Sequence, residues 1–306
     1  MDKKACMISE KAHMSTPLVS VIVPVYKRAG DLQKTLESLA EQTFKDFELI
    51  VIDDASPDNS KAAAKRFTNN VIVNPVNKGP AYSRNRGIES SQTDLIVCID
   101  SDCIAACDWL ETIYNEFQDQ DIDAVMGKTS IPHSTFLGDS IAALGYPGGA
   151  NAGFENMWHV DENGFTDHIT SCNFAARKDI FEKHGMFDEG FPMAGGEDSE
   201  LSVRWSANGV KIKYCPDMKV YHKPITSLKH YMSWMIHRGR CGYHLKKKIG
   251  SVKGFLRLRL GSSWRIAKKN IFNLKIFLII LLICMMFVLQ QTGYILASLK
   301  KKDLQD

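Results

Sequence analysis

The sequence lacks the glycine patterns that identify two large classes of nucleotide-binding enzymes. Neither the G-x-x-x-x-G-K-[ST] loop of ATPases nor the G-x-G-x-x-G turn of dinucleotide-binding domains occurs in its 306 residues. ATPase and dehydrogenase functions therefore have no support from motifs.

A regular cysteine pattern is also missing. Cys103 and Cys107 lie four residues apart, but no second Cys/His pair lies nearby to complete a zinc site. The spacing of the eight cysteines is irregular, which favours reduced thiols in a cytosolic compartment. These residues are Cys6, Cys98, Cys103, Cys107, Cys172, Cys215, Cys241 and Cys284.

A hydrophobic leader and a strong overall charge are absent as well. The first 17 residues have no apolar core, so we expect no signal peptide and place the catalytic part on the cytoplasmic side. The net charge of +3 does not require nucleic acid, and no nucleic-acid partner is predicted. No Asp or Glu occurs between Lys246 and Lys302, where many basic residues flank an apolar run. This distribution favours contact with an anionic membrane surface.

The apolar run covers Ile276–Leu299. Its first half contains no polar residue, but Gln290–Thr292 interrupt the second half. Because a full membrane span needs about 20 apolar residues, the sequence leaves three possibilities open. The run can be a spanning helix, a shallow interfacial or re-entrant anchor, or a buried helix of the core or of an oligomer.

Short apolar strands alternate with amphipathic helices in the first third of the chain. Strands are predicted at 18–25, 47–52, 70–74 and 94–99, and helices at 31–42, 60–67 and 80–90. Further on, strands are predicted at 171–175, 210–215 and 218–222, helices at 178–184 and 197–208, and a glycine-rich loop or flap at 145–153. The alternation implies an α/β fold with a mostly parallel sheet and helices on both faces. In such sheets ligands bind beyond the carboxyl ends of the strands.

Polar clusters follow several of these strands. They are Asp53–Asp58, Asn77–Gly87, Asp100–Asp102, Gly195–Asp198 and His222. Taken singly, each has an ordinary explanation as a turn aspartate, a solvated charge, a helix-dipole partner or a structural histidine. Their recurrence at successive strand ends instead predicts one cleft where they converge.

Two of these carboxylates predict a cation site. Asp100 and Asp102 stand one residue apart directly after a buried strand. Mg²⁺ and Mn²⁺ prefer oxygen ligands and commonly bridge protein carboxylates to substrate phosphates. Lys78, Arg84 and Arg86 add positive charge near the same edge, so a phosphate-bearing substrate is indicated.

The motifs together resemble family 2 glycosyltransferases with the GT-A fold. The segments are VSVIVPVYKR, DDASPDNS, NKGPAYSRNRGI, CIDSDC and GGEDSEL, which occur in the family's order between Leu18 and His222. The resemblance implies a Rossmann-like, mostly parallel sheet flanked by helices, here followed by a helical membrane-associating C-terminal tail. It also implies a nucleotide-sugar donor, with UDP as the family-level expectation, and Mn²⁺ or Mg²⁺ as cofactor.

The resemblance also assigns roles to residues. Pro24, Tyr26 and Asp54 would hold the base and ribose, with Lys78, Arg84 and Asp100 completing the donor nucleotide site. Asp102 of the D-x-D motif and His222 would hold the metal, and the pair Glu197–Asp198 would be catalytic, with Asp198 as the base. Arg238 and Arg240 are possible diphosphate contacts or contacts to lipid headgroups.

The expected reaction follows from these roles. A sugar hydroxyl is a poor nucleophile, so a carboxylate base should take its proton, while the metal neutralises the charge on the leaving diphosphate. One base and in-line attack invert the anomeric carbon. The Q-x-x-R-W segment of processive members is replaced by Met235–Arg240, and apolar spans are too few for a polymer channel. We therefore predict transfer of a single sugar to a glycan, lipid-linked or other acceptor in cell-surface glycan biosynthesis.

Two other functions stay open at this point. A sugar-phosphate nucleotidyltransferase shares the α/β sheet and the metal carboxylates, but Val23–Arg28 lacks its glycine-rich loop. A catalytically dead nucleotide-sugar-binding module is the other alternative. The predicted organisation is an N-terminal extension (1–17), a GT-A catalytic domain (18–244), and a basic interfacial segment with an apolar anchor (245–306) at the cytoplasmic face of the cell membrane.

Overall fold

Strand β1 (Val19–Val25) lies near the centre of a nine-stranded sheet and is buried on both faces. Its side chains alternate: Val21 and Val23 join one apolar cluster, and Ile22 joins the other. Because both faces of the strand are buried, its sequence is an almost continuous apolar run. The computed structural model describes residues 17–191 and 194–299, so the predicted N-terminal extension lies almost entirely outside the described residues, as does Cys6.

The first part of the sheet is built from parallel βα units. After β1 come α1 (Ala29–Ala40), β2 (Phe47–Asp53), α2 (Ser60–Ala64), β3 (Val71–Val73), α3 (Pro80–Ser90) and β4 (Leu95–Ile99). The strands pair in the order β3-β2-β1-β4, and all three pairings are parallel. Every element predicted for this part is present, with ends that shift by up to three residues.

The second part of the sheet is mixed. Its elements are β5 (Cys103–Ala105), α4 (Trp109–Glu116), β6 (Ala124–Ser130), α5 (Phe136–Ala142), α6 (Phe154–Met157), β7 (Phe165–Thr166), β8 (Asn173–Arg177), α7 (Lys178–His184), α8 (Glu197–Ala207) and β9 (Ile212–His222). The order continues β4-β8-β6-β9-β5, with β7 on β9. β6 and β9 are parallel, whereas β8 runs antiparallel to both of its neighbours. The predicted parallel pairing therefore holds for about half of the sheet.

The last predicted strands of this part differ from the sequence-based expectation. The strands predicted at 210–215 and 218–222 are one strand, β9, whose register against β6 shifts between Gly127 and Lys128. Pro216 lies in the shifted stretch, where a missing N–H is tolerated. The glycine-rich segment Gly145–Gly153 is a loop with a short 3₁₀ turn, as predicted.

Three helices follow the sheet: α9 (Leu228–Ile249), α10 (Lys253–Lys269) and α11 (Ile276–Leu299). They pack on the α5–α6 segment through an apolar cluster that includes Leu144, Met157, Tyr231, Leu282 and Met286. α9 runs without a break across the predicted domain boundary at 244/245. The boundary thus lies inside a helix, because Lys246–Lys248, which the sequence analysis assigns to the tail, continue α9.

Within the described part of the chain, α11 is the helix whose length and composition would suffice to cross a membrane. About a fifth of its most apolar window is buried in the protein. The seven cysteines in the described residues are free thiols, in agreement with the sequence-based expectation for these seven.

Candidate active site

A cavity of about 1420 Å³ opens at the carboxyl ends of the parallel strands. It is bounded by the sheet edge, the start of α8, and the helices α9 and α10. Eleven of the twelve predicted site residues line it: Pro24, Tyr26, Asp54, Lys78, Arg84, Asp100, Asp102, Glu197, Asp198, His222 and Arg238. Asp102 and Asp198, far apart in the chain, thus face the same space.

Arg84 links the two acidic motifs of the cavity, Asp100–Asp102 and Glu197–Asp198, through two ion pairs. Its Nη2 lies 2.7 Å from Asp100 Oδ1 and its Nη1 lies 3.2 Å from Glu197 Oε1. The side chain is only 3% exposed and lies over the ring of Phe187. Burial alone would lower the pKa of Arg84, but the two carboxylates outweigh it and raise the pKa. The guanidinium is therefore a fixed cation between the motifs, and its contact with base or phosphates stays a prediction.

Glu197 and Asp198 have different environments although they are adjacent. Glu197 is buried, and its Oε2 accepts a hydrogen bond from the Gly195 amide at 2.6 Å. Burial, followed by the charge of Asp198, raises the pKa of Glu197. Asp198 is half-buried, and among the described residues its carboxylate accepts hydrogen bonds from Ser199 alone. Asp198 is consequently the carboxylate of this pair that is open to a substrate.

The turn before α8 positions this pair. Gly195 and Gly196 both have positive φ angles, of 109° and 96°. A Cβ at Gly196 would meet the Phe191 ring at 2.9 Å, so a side chain is disfavoured both by conformation and by space. His237 and Cys241 of α9 contact the Ala194 carbonyl oxygen, which packs α9 against the turn.

A second cluster forms where β5 pairs with β9. Cys103 is directly opposite His222 in this antiparallel pair, and His222 Nε2 lies 3.4 Å from Asp102 Oδ1. Ligand atoms of Asp102, Cys103 and His222 lie within 4.8 Å of one another. Burial raises the pKa of the Cys103 thiol well above its ordinary value, and soft thiolate ligands suit zinc and copper better than Mg²⁺ or Mn²⁺. A carboxylate with an imidazole suits Mn²⁺ and related divalent cations, and Asp102 with His222 fits such an ion.

Arg28 is a site residue that sequence reasoning missed. Its Nη1 lies 2.5 Å from Asp102 Oδ2, so a cation already compensates the carboxylate predicted to bind metal. The signal was available, since Arg28 ends the VSVIVPVYKR segment just after β1.

Asp54 performs a structural task in addition to lining the cavity. It is 3% exposed, and four N–H donors from Asn74, Asn77, Lys78 and Gly79 lie 2.7–2.9 Å from its two oxygens. Asp54 thereby holds the loop that leads into α3. The predicted contact with ribose would compete with these bonds.

Helix α9 directs Arg238 and Arg240, both predicted as possible diphosphate contacts, to different sides. Arg238 lines the cavity, with its guanidinium 4.2 Å from the centre of the Tyr146 ring. Arg240 does not line the cavity, because residues two apart on a helix point to nearly opposite sides. A diphosphate contact by Arg240 stays a prediction, which this position of the side chain does not favour.

The remaining wall of the cavity was not predicted. It contains Tyr146, Trp158, His168, Phe255 and Arg259. The first three come from the segment between α5 and β8, and the last two come from α10. In the sequence these residues carry no motif, and Arg259 is not distinguishable from Arg257 two residues earlier.

Comparison with known proteins supplies independent evidence. The model of the family "Glycosyl transferase family 2" matches residues 20–185, more than half of the chain. Glycosyltransferase AglE of Haloferax volcanii is 27% identical, with 66% of each chain covered. O-antigen chain rhamnosyltransferase WbaN of Salmonella anatum is 30% identical over 67% of this chain and 66% of its own length. The chain thus matches about two thirds of the length of these curated relatives.

A solved structure shows the same architecture. The mannosyltransferase PcManGT from Pyrobaculum calidifontis, in complex with GDP-Man and Mn²⁺, superposes with a TM-score of 0.60 at 18% identity, covering 94% of this chain and 87% of the other. At this identity the likeness concerns the fold. The chain belongs to glycosyl transferase family 2 and has the GT-A fold.

Proposed function

We propose that this protein is an inverting, metal-dependent glycosyltransferase that moves one sugar from a nucleotide-diphosphate sugar to an acceptor hydroxyl. The observation that carries the proposal is the shared cavity: Asp198 and the Asp102–His222 pair line it together, and Arg84 ties the two acidic motifs. Membership of family 2 supports the same activity.

The donor end of the cavity is formed by the strand ends. Pro24, near the end of β1, and Tyr26, just after it, supply a surface for the base, and Lys78 adds positive charge on the same cavity wall. Asp102 and His222 would hold the divalent cation, which when bound offsets negative charge on the diphosphate. Arg28 and Arg84 balance the neighbouring carboxylates, so that Asp102 and Asp100 keep a fixed geometry.

Asp198 is proposed as the base. It is open to the cavity, whereas Glu197 is buried and bonded to Arg84 and Gly195. Asp198 would accept the proton of the acceptor hydroxyl as the oxygen attacks the anomeric carbon and the nucleoside diphosphate leaves. A single base with attack from the side opposite the leaving group inverts the anomeric configuration.

The donor is proposed to be a UDP-sugar, with a GDP-sugar as the second candidate because the solved neighbour is in complex with GDP-Man. The acceptor is proposed to be a growing surface glycan or its lipid-linked precursor. The O-antigen enzyme among the relatives supports glycan biosynthesis as the setting.

The experiment combines a donor panel with two variants. With Mn²⁺ and each nucleotide sugar, the wild type should release nucleoside diphosphate. Asp198→Asn should keep donor affinity but lose about 10²- to 10⁴-fold in kcat, the usual contribution of a general base. Asp102→Ala should instead lose Mn²⁺-dependent donor affinity.

Three results would contradict the proposal. If Asp198→Asn transferred sugar at the normal rate, Asp198 would not be the base. Release of pyrophosphate would indicate a nucleotidyltransferase. Donor binding without turnover, for every donor and with cell-extracted glycolipids as acceptors, would indicate a binding module.

The protein is further proposed to act at the cytoplasmic face of the membrane with α11 lying along the surface. α9 runs parallel to α11 and touches it along its length: Tyr231 Oη donates to the Leu282 carbonyl at 2.7 Å, and the rings of Tyr243 and Tyr294 lie 5.4 Å apart. α9 also carries two arginines, Arg238 and Arg240, on either side of Gly239, which lies against Gln290 of α11. If α11 crossed the bilayer upright, these two charges would be carried into hydrocarbon at up to about 2.5–3.5 kcal/mol each.

An orientation along the surface avoids this cost. The exposed apolar side chains then form a membrane face, defined by Leu260, Trp264, Phe272, Phe277, Leu281 and Val288. Basic residues of α10 flank it and favour anionic headgroups. We accordingly divide the chain into a catalytic unit up to residue 227 and a C-terminal helical unit from Leu228.

A further inference from the structure

Two arginines on the C-terminal side of the cavity, one buried and one half-buried, lack a carboxylate partner in the described part of the chain. Arg259 is 9% exposed, and Arg238 is half-buried. Across residues 17–191 and 194–299, neither forms an ion pair with Asp or Glu. This end of the cavity therefore has an excess of positive charge. Because burying an unpaired cation is costly, an anionic ligand here would be favoured.

Their neighbours leave the charge uncompensated. Arg259 donates to the Leu144 carbonyl at 3.2 Å and to the sulfur of Met286 at 2.7 Å. Arg259 and Arg238 lie 4.0 Å and 4.2 Å from the centre of the same Tyr146 ring. These neutral partners fix the direction of both guanidinium groups without neutralising them.

The wall around the arginines is apolar and aromatic. Trp158 and Phe255 line the cavity here, as does Phe287 of α11. The same helices, α10 and α11, present the membrane face on their outer side. The cavity therefore combines an anion-binding end with apolar surface, next to the helices that would contact lipid.

We propose that Arg238, Arg259 and Tyr146 form a subsite for the phosphate of a lipid-linked acceptor, whose apolar chain lies along Trp158 and Phe255. This assignment deepens the proposed transferase function and rests on it. It replaces the sequence-based expectation that Arg238 contacts the donor diphosphate. α9 supports it, since the helix that carries Arg238 also packs against the turn before Asp198.

The test is a binding measurement on the full chain in neutral detergent. Farnesyl monophosphate is the probe, farnesol is the uncharged comparison, and Mn²⁺ with UDP or GDP reports on the donor end. Binding can be followed by calorimetry and by tryptophan fluorescence, since Trp158 and Trp234 line the cavity. Because turnover is not measured, this test can fail while the transfer assays succeed.

Wild type should bind farnesyl monophosphate much more tightly than farnesol. Arg238→Gln and Arg259→Gln should each weaken farnesyl monophosphate binding at least about tenfold, the cost of losing a charge-assisted hydrogen bond. Mn²⁺–nucleotide affinity should not change. The matched control is Arg257→Gln, which removes an exposed charge two residues away on the same helix and should leave farnesyl monophosphate binding unchanged.

The outcomes separate the sources of phosphate. If the two variants lose nucleotide affinity instead, the arginines serve the donor and the proposal is wrong. If Arg257→Gln lost as much farnesyl monophosphate affinity as the two variants, general surface charge would explain the binding and the subsite would be refuted. If Arg259→Gln unfolds, as judged by its melting temperature, then Arg238→Gln and the wild-type preference for phosphate over alcohol decide, and absence of either effect overturns the proposal.

Discussion

The most consequential single residue in this structure is Arg84, a buried cation between two acidic motifs. Glu197 is 3% exposed and depends on Arg84 for compensation. An ion pair of this kind adds little net stability compared with apolar packing, but removal of one partner leaves a buried charge that costs about 3–5 kcal/mol.

Replacement of Arg84 should therefore destabilise the fold, and a second substitution should repair it. We expect Arg84→Gln to lower the free energy of unfolding by about 3–5 kcal/mol, measured by urea denaturation at pH 8. Arg84→Gln/Glu197→Gln should recover part of this loss, because no buried carboxylate then lacks a cation. Equal stabilities for the single and double variants would show that the charge of Glu197 is not the cause.

His168 should make stability depend on pH. Its ring stacks on Trp158 at 3.4 Å between centroids. Burial, with a smaller contribution from the charge of Arg238, lowers the pKa of His168 to about 3, whereas the unfolded chain takes up the proton near pH 6.5. Between these values the unfolded state binds more protons, so stability falls as the pH falls below about 6.5.

His168→Phe should remove this dependence while keeping an aromatic ring against Trp158. Between pH 8 and pH 5 the wild type should lose about 2 kcal/mol more than the variant, from the same linkage relation. Urea midpoints of both proteins at the two pH values measure the difference. Parallel losses in both proteins would mean that His168 does not titrate on unfolding.

At the scale of elements, the contact between α9 and α11 rests on two glycines. A Cβ on Gly239 would collide with the Gln290 carbonyl oxygen, and a Cβ on Gly293 would collide with that of Ile236. Both obstacles are backbone atoms, which cannot rotate away. The helices can approach this closely only because both positions lack a side chain.

Gly293→Ala should therefore push α9 and α11 apart and cost about 1–3 kcal/mol, the usual range for overpacking. Gly242→Ala on α9 is the matched control, because a Cβ there meets nothing within 4 Å, and it should stabilise the helix by about 0.5–1 kcal/mol. Melting temperatures and the rate of proteolysis within α11 report the separation. A gain in stability for both variants would refute the close contact.

The elements differ in how far the sequence predicts them. β1 to β4 follow from short β-branched runs between polar turns, because local pattern and tertiary environment agree there. The segment 131–170 has a weak pattern, since some of its side chains pack on α9–α11 while others, such as Phe154 and Ile169, pack against the sheet. β5 has three residues, too few for any periodicity, although it brings Asp102 to His222.

In the candidate site too, local patterns were predictable from the sequence and contacts between distant residues were not. The acidic motifs were predictable because each directly follows a strand or opens a helix. The ion pairs Arg28–Asp102 and Arg84–Glu197 were not predictable, since they join residues 74 and 113 positions apart in the chain. Arg259 and Arg257 have the same local sequence context, and only the packing of α10 buries one of them.

At the scale of the whole molecule, the orientation on the membrane can be tested by labelling. If α11 lies along the surface, both of its ends are on one side of the bilayer. In a cysteine-free background, Asn273→Cys and Ser298→Cys should both react with a membrane-impermeant maleimide in inverted vesicles, and neither should react in sealed right-side-out cells. Labelling of the two positions from opposite sides would indicate a spanning helix.

The sheet order has a consequence for how the protein is made. β9 inserts between β6 and β5, and in the described part of the chain β5 pairs with no other strand. On the ribosome, β1 to β4 can assemble while the growing polypeptide still lacks β9. The Asp102–His222 pair cannot form until some 120 further residues have been synthesised after Asp102. A nascent chain that stalls before β9 emerges would hold a nearly finished sheet with no cation-binding pair, so competence for catalysis arrives late in synthesis and nearly all at once.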